Sequence, residues 1–170
     1  MAALAAIVAG LSGLANAGMS AYWAAGRTGL ADTIGGDIER WGRERGQTVV
    51  ATLWVIVAVK TAVAIAAPVL VGLGGAGLPS WTTGRVPRAL GWIAAAVLTV
   101  YGAAPTIAGL LAEVVEASAD AAPKGPAWHA YLWDPWSFAW GLAFLAALSL
   151  TRPRRDRPDR PSTRLPGSSS

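Results

Sequence analysis

Four long apolar stretches dominate this chain, and a polypeptide with that pattern has few folds open to it. The first, Ala2 to Ala25, carries no charged side chain, and the second, Thr48 to Leu73, carries one, Lys60. The third, Arg88 to Leu111, follows Pro87, a residue favoured in the first helical turn, and beyond Arg88 its only ionisable group is Tyr101. The fourth, Trp133 to Leu150, has only Asp134, at its rim. A bilayer core about 30 Å thick asks for roughly 20 apolar residues per helix. Each unpaired backbone group in hydrocarbon costs several kcal/mol, so runs of this length are expected to be helical. The expectation is an all-α chain: a four-helix transmembrane bundle running up-down-up-down over residues 1–150, with spans at about 2–25, 48–73, 88–111 and 133–150. A disordered Arg/Pro/Ser-rich tail is expected over 151–170.

Composition agrees with this reading and excludes several kinds of chemistry. Charged residues make up 14% of the chain, against about 25% in soluble domains. The absence of Cys removes disulfides, iron-sulfur clusters, thiolate zinc sites and cysteine nucleophiles. A single His leaves the usual catalytic metal spacings unbuilt. No cofactor, no metal and no enzymatic activity are expected.

The net charge of +4 lies wholly in the tail, where Arg152, Arg154, Arg155, Arg157, Arg160 and Arg164 face only Asp156 and Asp159. The rest of the chain is neutral, so the basic balance is not the spread footprint of a nucleic-acid-binding face, and no nucleic-acid partner is expected. The tail arginines can attract anionic lipid at about 1 kcal/mol each. Four crossings put both ends on one side. That side carries Arg85, Arg88 and the six tail arginines, and the other carries Arg27, Arg40, Arg43, Arg45 and Lys124. The excess places both termini in the cytoplasm. Ala15-Asn16-Ala17 before Gly18 resembles a signal-peptidase site, but no Lys or Arg precedes Arg27 and the apolar run continues through Trp23. The first stretch is therefore expected to remain as a membrane helix.

Between the first two spans, Ile34, Ile38 and Trp41 recur at helical spacing among charges, which suits either a short interfacial helix or a solvated loop. The Gly72 to Gly77 run lacks the strand and the Lys-Ser/Thr pair of a phosphate loop. Flexibility is its expected meaning, and the shortness of the loop from Gly74 to Val86 makes spans two and three antiparallel neighbours. The last connection carries Glu113, Glu116, Asp120, Lys124, Trp128 and His129 before Tyr131, Trp133 and Trp136. Trp and Tyr collect at headgroup level, so Trp23, Trp128, Trp133 and Trp136 are expected to form an outer aromatic rim, with His129 and Asp134 as its polar members.

Inside the membrane, Lys60 lies about 18 to 20 Å from either end of its own stretch. A central Lys costs roughly 3 kcal/mol to insert, so its side chain should face the bundle interior. Asn16 and Tyr101 are the candidate partners at similar depth, and Ser12, Asn16 and Ser20 make a polar stripe at four-residue spacing. The expected intramembrane polar cluster is thus Lys60, Asn16, Tyr101 and Ser12. In span three, Gly91, Ala95, Thr99, Gly102, Thr106 and Gly109 form a stripe that permits close helix approach. Pro68 and Pro105 are expected to kink their helices.

The segments Ala21-Tyr22-Trp23-Ala24-Ala25-Gly26 and Trp133-Asp134-Pro135-Trp136-Ser137-Phe138-Ala139-Trp140-Gly141 resemble the family known as domain of unknown function 3995, small bacterial membrane proteins of about four helices. The resemblance runs from the first span to about Leu150 and implies no activity. Many members carry His two residues before the Tyr-Trp pair, where this chain has Ser20. The preponderance of Ala, and of Arg over Lys, looks like the coding bias of a high-GC bacterium and fits a plasma-membrane location.

The features point first to a non-enzymatic integral membrane protein, an interaction subunit or small-molecule binding bundle. The bilayer is its expected partner, with a membrane partner protein or a second copy besides. A transporter or channel component with Lys60 lining an internal path is the alternative. A membrane enzyme gathering His129, Glu113, Glu116 and Asp134 at the outer rim is a third and weaker reading.

Overall fold

The computed structural model describes residues 1–29, 46–75, 77–116 and 129–151, with backbone alone at 80, 83, 112–116, 129 and 130. The described residues are all-helical, with four long helices among them: α1 Ala2–Ala24, α2 Gln47–Leu70, α3 Arg85–Glu116 and α4 Asp134–Leu150. A 3-10 turn, Ser80–Thr83, leads into α3, and a π-helical turn, His129–Trp133, runs directly into α4. No strand occurs among the described residues. α1, α2 and the Arg85–Leu111 part of α3 are long and apolar enough to cross a membrane. α4 has 17 residues, about 26 Å at 1.5 Å per residue.

Two helices stop by the same device. At the end of α1, Gly26 has φ 86°; its N–H bonds the Trp23 carbonyl at 2.8 Å and the Arg27 N–H bonds that of Tyr22 at 3.2 Å. At the end of α2, Gly72 has φ 87°, with Gly72 N–H on Val69 O at 3.0 Å and Leu73 N–H on Pro68 O at 2.9 Å. Both are Schellman caps, which satisfy the last carbonyls with a left-handed residue that favours Gly. The Gly72 to Gly77 run therefore opens with a helix stop, where flexibility alone was expected. Pro68 and Pro105 lie within continuous helices.

Packing makes a row in the order α2, α1, α4, α3. The buried stripe of α1 is small, with Ala6, Ala9, Gly10, Gly13, Asn16, Ala17, Ser20 and Ala24. Small residues let helices approach closely, and a methyl placed on Gly13 would stand 2.5 Å from the Trp140 ring and 2.7 Å from Ala64 Cβ. α3 and α4 approach as closely: a methyl on Gly102 would meet the Phe138 backbone nitrogen, and one on Gly141 would lie 2.5 Å from the Thr99 nitrogen. The core is Ala9, Ala64, Ala67, Leu70, Ala95, Trp140, Phe144 and Leu148. By contrast, α2 and α3 touch little along their lengths, although a short loop joins them. α3 is tied to α4 instead, where the Arg88 guanidinium donates to the carbonyls of Leu148 at 2.7 Å and Thr151 at 2.6 Å. Those are carbonyls of the α4 C-terminus that an isolated helix leaves without partners.

The outer surfaces are as apolar as the interior, with Leu4, Val55, Ile93, Val97 and Val100 all strongly exposed. A helix hydrophobic all round belongs in a large core or in lipid.

Candidate functional site

Hydroxyls in membrane-like helices usually satisfy themselves locally. Thr52, Thr61, Thr99, Thr106, Ser137 and Ser149 each donate to the carbonyl four residues earlier. Ser20 does this too, donating to Asn16 O at 3.4 Å, but its oxygen also accepts a 2.9 Å bond from Lys60 Nζ across the α1–α2 seam. Leu53, Val57, Lys60, Ala64 and Ala67 recur at three- and four-residue intervals on the less exposed face of α2. That spacing turns Lys60 toward α1.

The Cα–Cβ bonds of a helix tilt toward its N-terminus. The Lys60 stem therefore leans toward Gln47, which lies at the same end of the bundle as the close of α1. Its anchor, Ser20, lies four residues from Ala24, about 6 Å along the axis. Asn16, 6% exposed, sits one turn deeper on the same face as Ser20, and no hydrogen bond to its amide occurs among the described residues. Ser20 is 3% exposed, while Lys60 is only part-buried.

The other expected members sit elsewhere. Tyr101 is 64% exposed on α3: the face of α3 that packs on α4 carries Gly91, Ala95, Thr99 and Gly102, and Tyr101 falls outside that stripe. It does not join Lys60. Ser12 accepts a 2.9 Å bond from Trp136 Nε1, linking α1 to α4 instead of to Lys60.

Three of the expected aromatic residues pack against one another. Trp133 is 9% exposed, stands edge-on to Trp23 at 5.2 Å between centroids, and stacks on Trp136 at 6.2 Å. Trp23 Nε1 donates to Gly29 O at 3.0 Å. Trp23, Trp133 and Trp136 thus form one contiguous aromatic cluster at the end of α1 and the start of α4, with Trp133 buried and the other two half-buried. Asp134 is buried in the first turn of α4, where a negative charge suits the helix dipole. Trp128 and the side chain of His129 lie outside the described residues, as do Ile34, Ile38, Trp41, the side chains of Glu113 and Glu116, and the arginine tail.

Sequence reasoning missed Trp140. Its ring fills the layer between Gly13 and Ala64, one turn below the Lys60 level, with Nε1 buried and no hydrogen-bond partner among the described residues. The signal was present as Gly13 between polar residues of α1, because only a glycine there leaves space for an indole. Among the described residues no three His, Asp or Glu side chains gather as a metal set.

The two sequence segments around Trp23 and Trp136, more than a hundred positions apart, thus form one aromatic cluster beside the Lys60 seam. No curated protein and no solved structure matches the chain. The profile of a protein family of unknown function, DUF3995, matches residues 13–144, a span that contains both segments and every residue of the Lys60 seam, and the chain belongs to that family.

Proposed function

We propose that this is a multi-pass protein of the bacterial plasma membrane, with α4 and its π turn completing a fourth crossing and both termini cytoplasmic. Its role is non-enzymatic: the bundle holds a small amphiphilic molecule whose acceptor oxygens engage Lys60. The observation carrying this is the Lys60–Ser20 bond at 2.9 Å. It uses one of three ammonium donors, beside a buried amide, in a seam whose named residues include no carboxylate. A part-buried cation without an acid partner favours a ligand that brings negative charge or acceptor oxygens.

Two alternatives fare worse. A transport path would have to continue below Lys60, and there Trp140, Ala64, Phe144 and Leu148 pack to near-zero exposure. A Ser–Lys nucleophilic pair has this bond length, but the Ser20 hydroxyl is buried from any carbonyl substrate and gives its proton to Asn16 O.

Oleate and farnesyl phosphate are suitable probes. Either should raise the thermal midpoint of the detergent-solubilised full chain, and Lys60→Met should abolish the rise. No rise with either, an equal rise in Lys60→Met, or labelling of Ser20 by a fluorophosphonate would overturn the reading. The chain has no Cys, so Gly46→Cys and Gly75→Cys test the topology. Impermeant maleimide on intact spheroplasts should label the former and spare the latter.

A further inference from the structure

The helix ends fall into two sets. The close of α1 and the start of α2 lie at one end of the bundle, where Lys60 reaches Ser20, and the start of α4 joins them, where Trp133 meets Trp23. The close of α2, the start of α3 and the close of α4 lie at the other, where Gly91 packs on Leu70 and Arg88 bonds the carbonyls of Leu148 and Thr151. Cations divide unevenly between these ends. Up to Thr151, the Arg88 end carries only Arg85 and Arg88, whereas the connections at the opposite end carry Arg27, Arg40, Arg43, Arg45 and Lys124. The first helix leans the same way, with no Lys or Arg before α1 and Arg27 just after it.

Lys and Arg near helix ends are retained in the cytoplasm, and Asp and Glu count for little. At two cations against five, the bundle by itself is therefore biased to insert with its Arg88 end outside. The six arginines from Arg152 to Arg164 turn that into eight against five. All six lie within 14 residues of Leu150, inside the roughly 15–20 residues over which such charges act. The tail follows α4 directly, and the packing passes its orientation on. Arg88 fastens the last carbonyls of α4 to the first turn of α3, and the two helices close to backbone contact at Gly102 and Gly141. The side taken by the tail is thus the side taken by the start of α3.

We propose that the arginine tail orients this protein: the bundle alone prefers the inverted topology, and the tail overrides it. This rests on the four-crossing topology proposed above, which the chain with an unaltered tail tests separately. The test extends the maleimide assay on intact spheroplasts to tail variants carrying Gly46→Cys or Gly75→Cys. With the tail unaltered, Gly46→Cys should label and Gly75→Cys should not; any other pattern there overturns the topology itself. Replacing all six tail arginines by Gln should exchange the two labels. Arg154→Gln, Arg157→Gln and Arg160→Gln together leave five cations against five and should label both cysteines in part. Replacing all six by Lys keeps the charge and should keep the original pattern. Labelling is read against the total reached after permeabilisation, so a chain that fails to insert is recognised, and if the six-Gln chain does not accumulate the half-substituted chain decides. The original pattern persisting in the Gln variants, or exchanged labels in the Lys variant, would overturn the proposal.

Discussion

α3 meets its two neighbours in opposite ways. Against α4 it closes to backbone contact through Gly102 and Gly141, and Arg88 fastens its first turn to the end of α4. Toward α2, its immediate predecessor in the chain, it leaves a trough. Sequence proximity and a short loop bring α2 and α3 together only near Leu70 and Gly91, where a methyl on Gly91 would lie 2.5 Å from Leu70 Cδ1. In lipid there is little hydrophobic drive between helices, so they associate where packing is good and backbones can approach. Connectivity joined α2 to α3, and glycine geometry joined α3 to α4.

Four substitutions sharpen this contrast. Trp140→Ala removes the indole shared by α1, α2 and α4 and should destabilise by about 3–5 kcal/mol, read as a large fall in thermal midpoint in detergent. A loss below 1 kcal/mol would mean that the layer is not closed. Gly102→Ala forces the backbones of α3 and α4 apart and should cost about 3 kcal/mol, whereas Ala66→Leu on the trough wall should stay within about 0.5 kcal/mol. Equal losses would erase the difference between the seams. Arg88→Gln leaves the α4 carbonyls short of a charged donor and should cost about 1.5 kcal/mol. Faster hydrogen exchange should follow at the last turn of α4 and not at α2.

Much of the architecture was legible in the sequence. Each long helix coincides with an apolar run, α3 extending beyond its run at both ends, because a backbone that must satisfy itself in hydrocarbon has almost no other choice. The stripe of Gly91, Ala95, Thr99 and Gly102 was readable as a contact face for the same reason that it works as one: a side chain too small to hold helices apart is visible as a letter. The site was less legible. Asn16 and Ser20 share a face with Lys60 as their spacing indicated, but the partner of the ammonium was Ser20, since a side chain's reach depends on the stagger of two helices. Tyr101 was at a suitable depth in the sequence and on another face in space. Trp133 and Trp136 follow composition rules for a belt, and those rules do not say that the two stack on each other and meet Trp23.

The sequence by itself determined that the chain is helical and apolar, in four runs of which three form helices long and apolar enough to cross a membrane, because backbone hydrogen bonding and hydropathy are local properties. Which helix lies beside which, where the lysine finds its acceptor and which indoles turn inward were decided only by tertiary structure. Those outcomes depend on the relative offset and rotation of helices, and short-range contacts summed over a whole interface set both.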